Sequence, residues 1–211
     1  MTHTDDLIES LAANLSPVRP LRAPLLRTLM WLAIVSAGAL LIILRFANLS
    51  VFMGRVEVPR VALECLGSLL TAITAIFVAF ELSVPGRSMR WVWLPLPPLL
   101  LWLAASGVGC LANGLGIRAV QGESAHCFIF IAGMSIPLSI GLFWMLRRAH
   151  PIAPLPVAIF GTLGVAAASA TLLQFFHPFD ITVLDLGFHL AAVGFVVFLG
   201  AALRRPLLSA A

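Results

Sequence analysis

Three cysteines lie near the ends of three successive apolar stretches, on the same side if the stretches alternate in direction. Cys110 ends one stretch, Cys127 opens the next, and Cys65 lies near the start of an earlier one. Thiolates bind soft or borderline ions such as zinc and copper, and a thiol can also be oxidised. The chain contains no C-x-x-C spacing, so metal capture, a disulfide such as Cys110–Cys127 and simple apolar packing all remain open interpretations.

Histidines and acidic residues accompany these cysteines. His126 directly precedes Cys127, and His177 ends the fifth apolar stretch. Other ionisable residues near the same ends of the apolar stretches are Glu64, Glu123, Asp180, Asp185 and His189. No H-x-x-x-H spacing is present, so we expect no required cofactor, only transient binding of a heavy metal or zinc. The candidate sensing or metal residues are Cys127, His177, His126 and Cys110.

The composition identifies the elements that must position these residues. Hydrophobic residues make up 61% of the 211 and charged residues only 10%, whereas soluble domains are roughly 45–50% apolar and 25% charged. So few charges could not cover the surface of a soluble protein. Apolar stretches long enough to cross about 30 Å of hydrocarbon predict an all-α, polytopic membrane protein with six transmembrane helices. The predicted spans are 28–44, 61–80, 97–113, 127–146, 156–176 and 183–203.

The arginines predict the orientation of these spans. All 13 basic residues are arginine, and with both termini inside, nine of them lie on the inner side and four on the outer side. This distribution follows the positive-inside rule. We therefore predict cytoplasmic termini and three parts: a cytoplasmic docking segment (1–27), the six-helix domain (28–205) and a short C-terminal tail (206–211).

The N-terminal segment differs in composition from the rest of the chain. Between Thr4 and Leu15, apolar residues recur with the spacing of one helix face, and acidic residues occupy the predicted first turns, where the helix dipole favours them. Thr4 is the predicted N-cap, and Pro17 ends the helix. The following prolines favour an extended conformation up to Pro24. The segment is therefore a short amphipathic helix followed by an extended arm.

Three interpretations of this segment remain open: an anchor on the membrane surface, an unstructured tail, and a docking helix for a cytoplasmic partner. The polar face is acidic, whereas surface-binding helices are usually basic, which argues against the anchor. Docking would follow helix-in-groove recognition. The candidate partner-binding residues are Asp5, Asp6, Leu7, Ile8, Leu11, Leu15, Pro17, Val18, Arg19, Pro20, Leu21 and Arg22.

No motif of an enzyme is present. The chain has no glycine-rich phosphate loop, no H-E-x-x-H and no G-x-S-x-G. The spans carry almost no ionisable residue at mid-membrane, where transporters and pumps usually keep charges or broken helices. We therefore predict that the protein is not an enzyme. The alternative to a docking protein is a small membrane transporter or metal-handling protein with the tail as an anchor.

Six segments of the chain form a recognisable set: TDDLI at residues 4–8, SPVRPL at 16–21, Cys127, Ser135-x-Pro137, LRRAHP at 146–151 and GAALR at 200–204. Together they resemble NrsF-type proteins, which are six-span inner-membrane anti-sigma factors of proteobacteria. The N-terminal signature is the most specific part, and the resemblance extends over essentially the full chain.

The resemblance implies a function and a location. It implies that the tail sequesters an extracytoplasmic-function sigma factor at the bacterial inner membrane, without direct contact to nucleic acid. It also implies that two outward cysteines sense heavy metal or oxidative stress and release the sigma factor. Cys127 matches the first cysteine, whereas this chain has His177 where the family typically has the second.

A Cys127–His177 disulfide is impossible, so the oxidation of a cysteine pair at these two positions is excluded. Three alternatives follow from the resemblance: metal coordination by a thiolate and an imidazole, a disulfide that uses Cys110 or Cys65 instead, or loss of redox sensing.

Overall fold

The computed structural model describes residues 2–13, 20–113, 121–176 and 183–208, and within these ranges the chain forms helices and turns without any β-strand. A short 3₁₀ helix, Met89–Trp93, precedes the third long helix. The α-helices are α1 (Thr2–Ala13), α2 (Pro24–Phe46), α3 (Leu49–Val56), α4 (Pro59–Leu82), α5 (Leu96–Asn113), α6 (Gln121–Arg147), α7 (Pro154–Leu173), α8 (Val183–Ala202) and α9 (Arg204–Leu208).

Six of the described helices are long and apolar enough to cross a membrane, which confirms the predicted all-α class and the six spans. They are α2, α4, α5, α6, α7 and α8. The third span, Met89–Gly109, includes the 3₁₀ helix together with most of α5. α2, α4 and α7 begin earlier than predicted, at Pro24, Pro59 and Pro154. Proline suits the first turn of a helix, where its missing N–H has no intrahelical partner in any case.

Helices α4 and α7 form the centre of the bundle. They make the most extensive contact of any described pair, and both also pack against other spans. A Cβ atom on Gly164 of α7 would lie 2.7 Å from Cγ1 of Ile76 on α4, so only glycine permits this approach. Gly67 allows a similar approach of α4 to the backbone of Trp102 on α5. Glycine residues on α7 and α4 therefore permit the close helix packing at the centre of the bundle.

Helix α2 lies at the edge of the bundle. Its buried residues are Pro24, Arg27, Thr28 and Trp31, and none of its residues after Trp31 is buried. α2 is thus held by its first two turns, and most of its remaining surface is apolar and open to lipid. The tail therefore joins the bundle at the part of α2 that is most firmly packed.

The N-terminal helix begins earlier than the sequence analysis predicts. α1 starts at Thr2, so Thr4 lies inside the helix and is not its N-cap. Neither Thr2 nor His3 interrupts a helical backbone, so both residues belong to α1. The predicted end near Leu15 and Pro17 lies outside the described residues.

Helix α3 lies between the first two predicted spans, where the sequence predicts no helix. The Asn48 side chain accepts a hydrogen bond from the Val51 N–H (3.4 Å) and starts this helix as its N-cap. The Ser50 hydroxyl donates to the same Asn48 oxygen (2.7 Å). The turn between the spans is therefore a structured element that packs on the bundle.

The alternation of the spans produces two ends. One end carries the start of α2 and the last turns of α4 and α6, and we name it the Arg27 end. The other carries α3, the start of α4 and the end of α7, and we name it the Glu64 end. The tail emerges at the Arg27 end, whereas Cys127 near the start of α6 lies toward the Glu64 end.

Candidate functional site: the tail and two polar clusters

Helix α1 presents an uncovered apolar stripe. Every side chain from Thr4 to Ala13 is exposed, and Leu7, Ile8 and Leu11 are 54%, 60% and 62% accessible. These three residues share one side of the helix at 3.6 residues per turn. Apolar stripes of this kind are normally buried against a partner protein or a membrane surface. The stripe therefore has the form of a docking surface for another molecule.

The rest of the predicted docking segment is described in part. Asp5 and Asp6 are exposed in α1. Pro20, Leu21 and Arg22 are exposed and non-helical, as predicted for the arm. The structure therefore leaves these polar and apolar side chains accessible to a partner. The predicted contact residues outside the described part of the chain are Leu15, Pro17, Val18 and Arg19.

Arg27 fixes the junction between the tail and the bundle. Its side chain is 5% exposed, and its two terminal nitrogens reach two different helices. One nitrogen donates to Oγ of Ser83 after α4 (3.1 Å), and the other donates to the main-chain oxygen of Met145 in α6 (2.7 Å). The guanidinium also lies over the Phe80 ring, 4.6 Å from its centroid. We name these four residues the Arg27 clamp.

The turn that follows α4 is itself held in place. Ser83 is the C-cap of α4, and its hydroxyl donates to the main-chain oxygen of Phe80 (2.7 Å). The buried Glu81 carboxylate pairs with Arg87 at 3.2 Å (Nε to Oε2). Because these bonds restrain the turn, the Ser83 hydroxyl offers Arg27 an acceptor at a defined position.

A buried carboxylate organises the Glu64 end. The Glu64 side chain is 2% exposed, and Oγ of Ser106 on α5 donates to its Oε1 (2.9 Å). The Gln174 side chain after α7 also hydrogen-bonds to this carboxylate, and Arg60 and Arg55 interact with it electrostatically. We name these five residues the Glu64 cluster. It joins α3, α4, α5 and the end of α7, and its opposite charges compensate each other in an apolar environment.

Helix α3 is attached to the end of α7 by two contacts. A terminal nitrogen of Arg55 donates to the main-chain oxygen of Gln174 (3.2 Å), and the rings of Phe52 and Phe175 stack with centroids 4.1 Å apart. The two elements enclose a crevice of about 250 Å³ that ends at Phe176. The chain reaches His177 directly after this crevice, and His177 lies outside the described residues.

The structure places the predicted sensing residues in different environments. Cys127 is 1% exposed and packs among apolar residues such as Trp102 and Ile131, whereas His126 is exposed. The side chain of Cys110 lies outside what the structure describes. Among the described residues, no three His, Cys, Asp or Glu side chains converge on a position that could hold a metal ion. Cys127 and His126 are thus adjacent in sequence but are not brought to one accessible site.

A further histidine lies beside the Glu64 cluster. His189 on α8 is nearly buried, and its Nδ1 lies 2.8 Å from the main-chain oxygen of Asp185. His189, Glu64 and Ser106 line one small cavity of about 40 Å³. The sequence predicts Glu64, Asp185 and His189 at similar depth in the membrane, but no local pattern identifies the facing residue on α5. A lone carboxylate in an apolar span indicates that a partner exists, because its burial is otherwise unfavourable.

The comparisons with known proteins identify the family. A family model described as NrsF, negative regulator of sigma F, matches residues 11–209 of the chain. No curated protein and no solved structure matches the chain. The matched region includes the end of α1, the arm and all six spans, which confirms the resemblance seen in the sequence. The family is one of regulators rather than enzymes, and the chain belongs to it: it is a member of the NrsF family of negative regulators of a sigma factor.

Proposed function

We propose that this negative regulator holds an extracytoplasmic-function sigma factor at the cytoplasmic face of the bacterial inner membrane through residues 1–27. Both termini would lie in the cytoplasm, and a metal or oxidative signal at the Glu64 end would release the sigma factor. A bound sigma factor would be kept from RNA polymerase. The protein would thus act by binding and release, without catalysis.

The observation that carries this proposal is the uncovered stripe formed by Leu7, Ile8 and Leu11 on α1. Burial of one such side chain in a partner groove contributes about 1.5–3 kcal/mol. The exposed acids Asp5 and Asp6 would pair with a basic rim around the groove, which favours the correct partner and speeds its association. The tail therefore has an apolar anchor and a charge pattern that together specify a protein surface.

Affinity purification from the native host tests the docking proposal. The tagged full-length chain in detergent is expected to retain a sigma factor that mass spectrometry identifies, and Leu7→Asp is expected to lose it. Ala13→Asp is the matched control, because it adds the same charge on the side of α1 away from the stripe. Failure of the wild-type chain to retain any sigma factor, or equal retention by Leu7→Asp, would refute the proposal.

Release requires the signal to change the affinity of the tail. A change from 99% bound to 1% bound needs about 5.5 kcal/mol of differential binding, which a metal site or a thiol oxidation can supply and a surface ion pair cannot. Since Cys127 is 1% exposed, α6 must first separate from its neighbours before an ion or oxidant reaches the thiol. Sensing would thus be coupled to helix packing from its first step.

The sensing residue is tested by transcription of the target genes under cadmium or diamide stress. Cys127→Ser is expected to abolish induction, because it removes the thiol and keeps a side chain of similar size. Cys65→Ser, on α4, is expected to respond as the wild type, and loss of induction in this variant would instead favour the disulfide that uses Cys65. Normal induction in Cys127→Ser would eliminate Cys127 as the sensor and leave the tail proposal intact.

A further inference from the structure

Arg27 joins α4 and α6, two helices that have little direct contact and are connected mainly through α7. α7 packs extensively against both α4 and α6. Among the side chains that the structure describes, only Arg27 hydrogen-bonds to both Ser83 and Met145. Its guanidinium forms a fork: one terminal nitrogen reaches Ser83 at the end of α4, and the other reaches Met145 in the last turns of α6. A displacement of one helix along the other would lengthen at least one of these two bonds. The position of Arg27 therefore depends on the relative position of α4 and α6.

The same two helices carry the polar and thiol residues of the opposite end. Glu64 precedes Ser83 by 19 residues on α4 and its cap, and Cys127 precedes Met145 by 18 residues on α6. At 1.5 Å per residue these separations are about 29 Å and about 27 Å. α4 therefore runs without a break from the Glu64 end to the clamp, and α6 is one helix over this distance with Pro137 inside it.

Only a few residues separate Arg27 from the arm of the N-terminal tail. Arg27 lies in the first turn of α2, and three residues before it Pro24 begins the helix. The preceding Leu21 and Arg22 belong to the arm that leads to α1. Because proline restricts its own backbone and that of the residue before it, the direction of the arm follows the orientation of the first turn of α2.

We propose that Arg27 is the positioning residue through which the bundle controls the tail: its fork converts a relative displacement of α4 and α6 into a change in the direction of the arm and in the affinity of α1 for its partner. The inference rests on the proposed function, since it assigns a regulator to the same docking surface. It requires the planar fork of arginine, which a lysine ammonium at the same position does not reproduce.

A double-mutant cycle tests this inference in full-length protein in lipid nanodiscs, with the sigma factor captured in the affinity purification as the ligand. Glu64→Ala disturbs the far end of the bundle and is expected to raise the Kd by about 5-fold or more. Combined with Arg27→Lys, the same Glu64→Ala change is expected to leave the Kd unaltered, because the signal no longer reaches the arm. Arg90→Lys is the matched control background, because Arg90 is an exposed arginine near the Arg27 end. In this background Glu64→Ala should raise the Kd as much as it does in the wild type.

Ser83→Ala provides a second variant that keeps the arginine and removes one acceptor of its fork, and it is expected to abolish the effect of Glu64→Ala as Arg27→Lys does. An effect of Glu64→Ala that is equal in all backgrounds, or absent in the wild-type background, would overturn the inference. Binding by the wild-type chain distinguishes the two levels: without it the docking proposal fails, and with it only the role of Arg27 is at stake.

Discussion

At the scale of single residues, the Glu64 carboxylate shows how a charged group is accommodated in this apolar bundle. It accepts a hydrogen bond from Ser106 (2.9 Å) and from Gln174, and the Arg60 side chain supplies opposite charge. Each of these groups would be unfavourable at this depth alone, and together they satisfy one another. The members of the cluster therefore depend on one another: loss of one member leaves the others buried without a hydrogen-bond or charge partner, which is energetically unfavourable.

Glu64→Ala is expected to destabilise the folded protein for this reason. The buried donors of Ser106 and Gln174 lose their acceptor, and each such loss lowers the free energy of unfolding by about 1–3 kcal/mol. For a chain of this size, the lower limit of about 2 kcal/mol for the two losses corresponds to a fall in the Tm in detergent of at least roughly 4–8 °C. Glu57→Ala, which changes an exposed glutamate just after α3, should leave the Tm unchanged. Equal Tm values for the two variants would contradict the assigned role of Glu64.

At the scale of helices, the α4–α7 contact determines how closely the bundle packs. Gly164 faces Ile76 at a distance that leaves no room for a methyl group, since an added Cβ would lie 2.8 Å from Cδ1 and 3.0 Å from the main-chain nitrogen of Ile76. The main-chain atom cannot rotate away as the end of a side chain can. The two central helices would therefore have to separate to accept any larger residue.

Gly164→Ala tests this contact. Overpacking at a tight interface lowers the free energy of unfolding by about 1–3 kcal/mol, and we expect a corresponding fall in the Tm of the detergent-solubilised protein. Gly194→Ala on α8 is the matched control, because a Cβ there meets nothing within 4 Å and alanine favours the helix. A Gly164→Ala variant as stable as Gly194→Ala would show that α4 and α7 are not in close contact at this position.

The spans could be predicted from the sequence because length and hydrophobicity alone define a transmembrane helix. α3 could not, because Leu49–Val56 is too short for a span and lies between charged residues that are typical of a loop. The Glu64 cluster and the Arg27 clamp could not be predicted either. Their members come from helices far apart in the chain, so their contacts depend on the rotation of each helix about its axis, which no local pattern encodes.

At the scale of the whole molecule, the proposed function requires communication between the two ends of the bundle. The arginine distribution, nine on one side and four on the other, predicts that the Arg27 end faces the cytoplasm. The tail would then meet its partner on the side where RNA polymerase operates. The Glu64 end would face the opposite compartment, where a signal from outside the cell arrives.

Cysteine labelling tests this orientation. In a chain without native cysteines, Glu57→Cys is expected to react with a membrane-impermeant maleimide on spheroplasts, because Glu57 is exposed at the Glu64 end. Ser10→Cys on α1 is expected to react only after the membrane is permeabilised. The reverse pattern would place the tail outside the cytoplasm and remove it from any sigma factor.

The central claim is that the apolar stripe of α1 holds the sigma factor, and one binding measurement tests it most directly. The Kd of the captured sigma factor for the full-length chain in nanodiscs is compared among the wild type, Leu11→Asp and Ala13→Asp. Loss of at least about 2 kcal/mol predicts a Kd about 30-fold higher for Leu11→Asp, with Ala13→Asp near the wild type. A Leu11→Asp variant that binds as tightly as the wild type would contradict the claim.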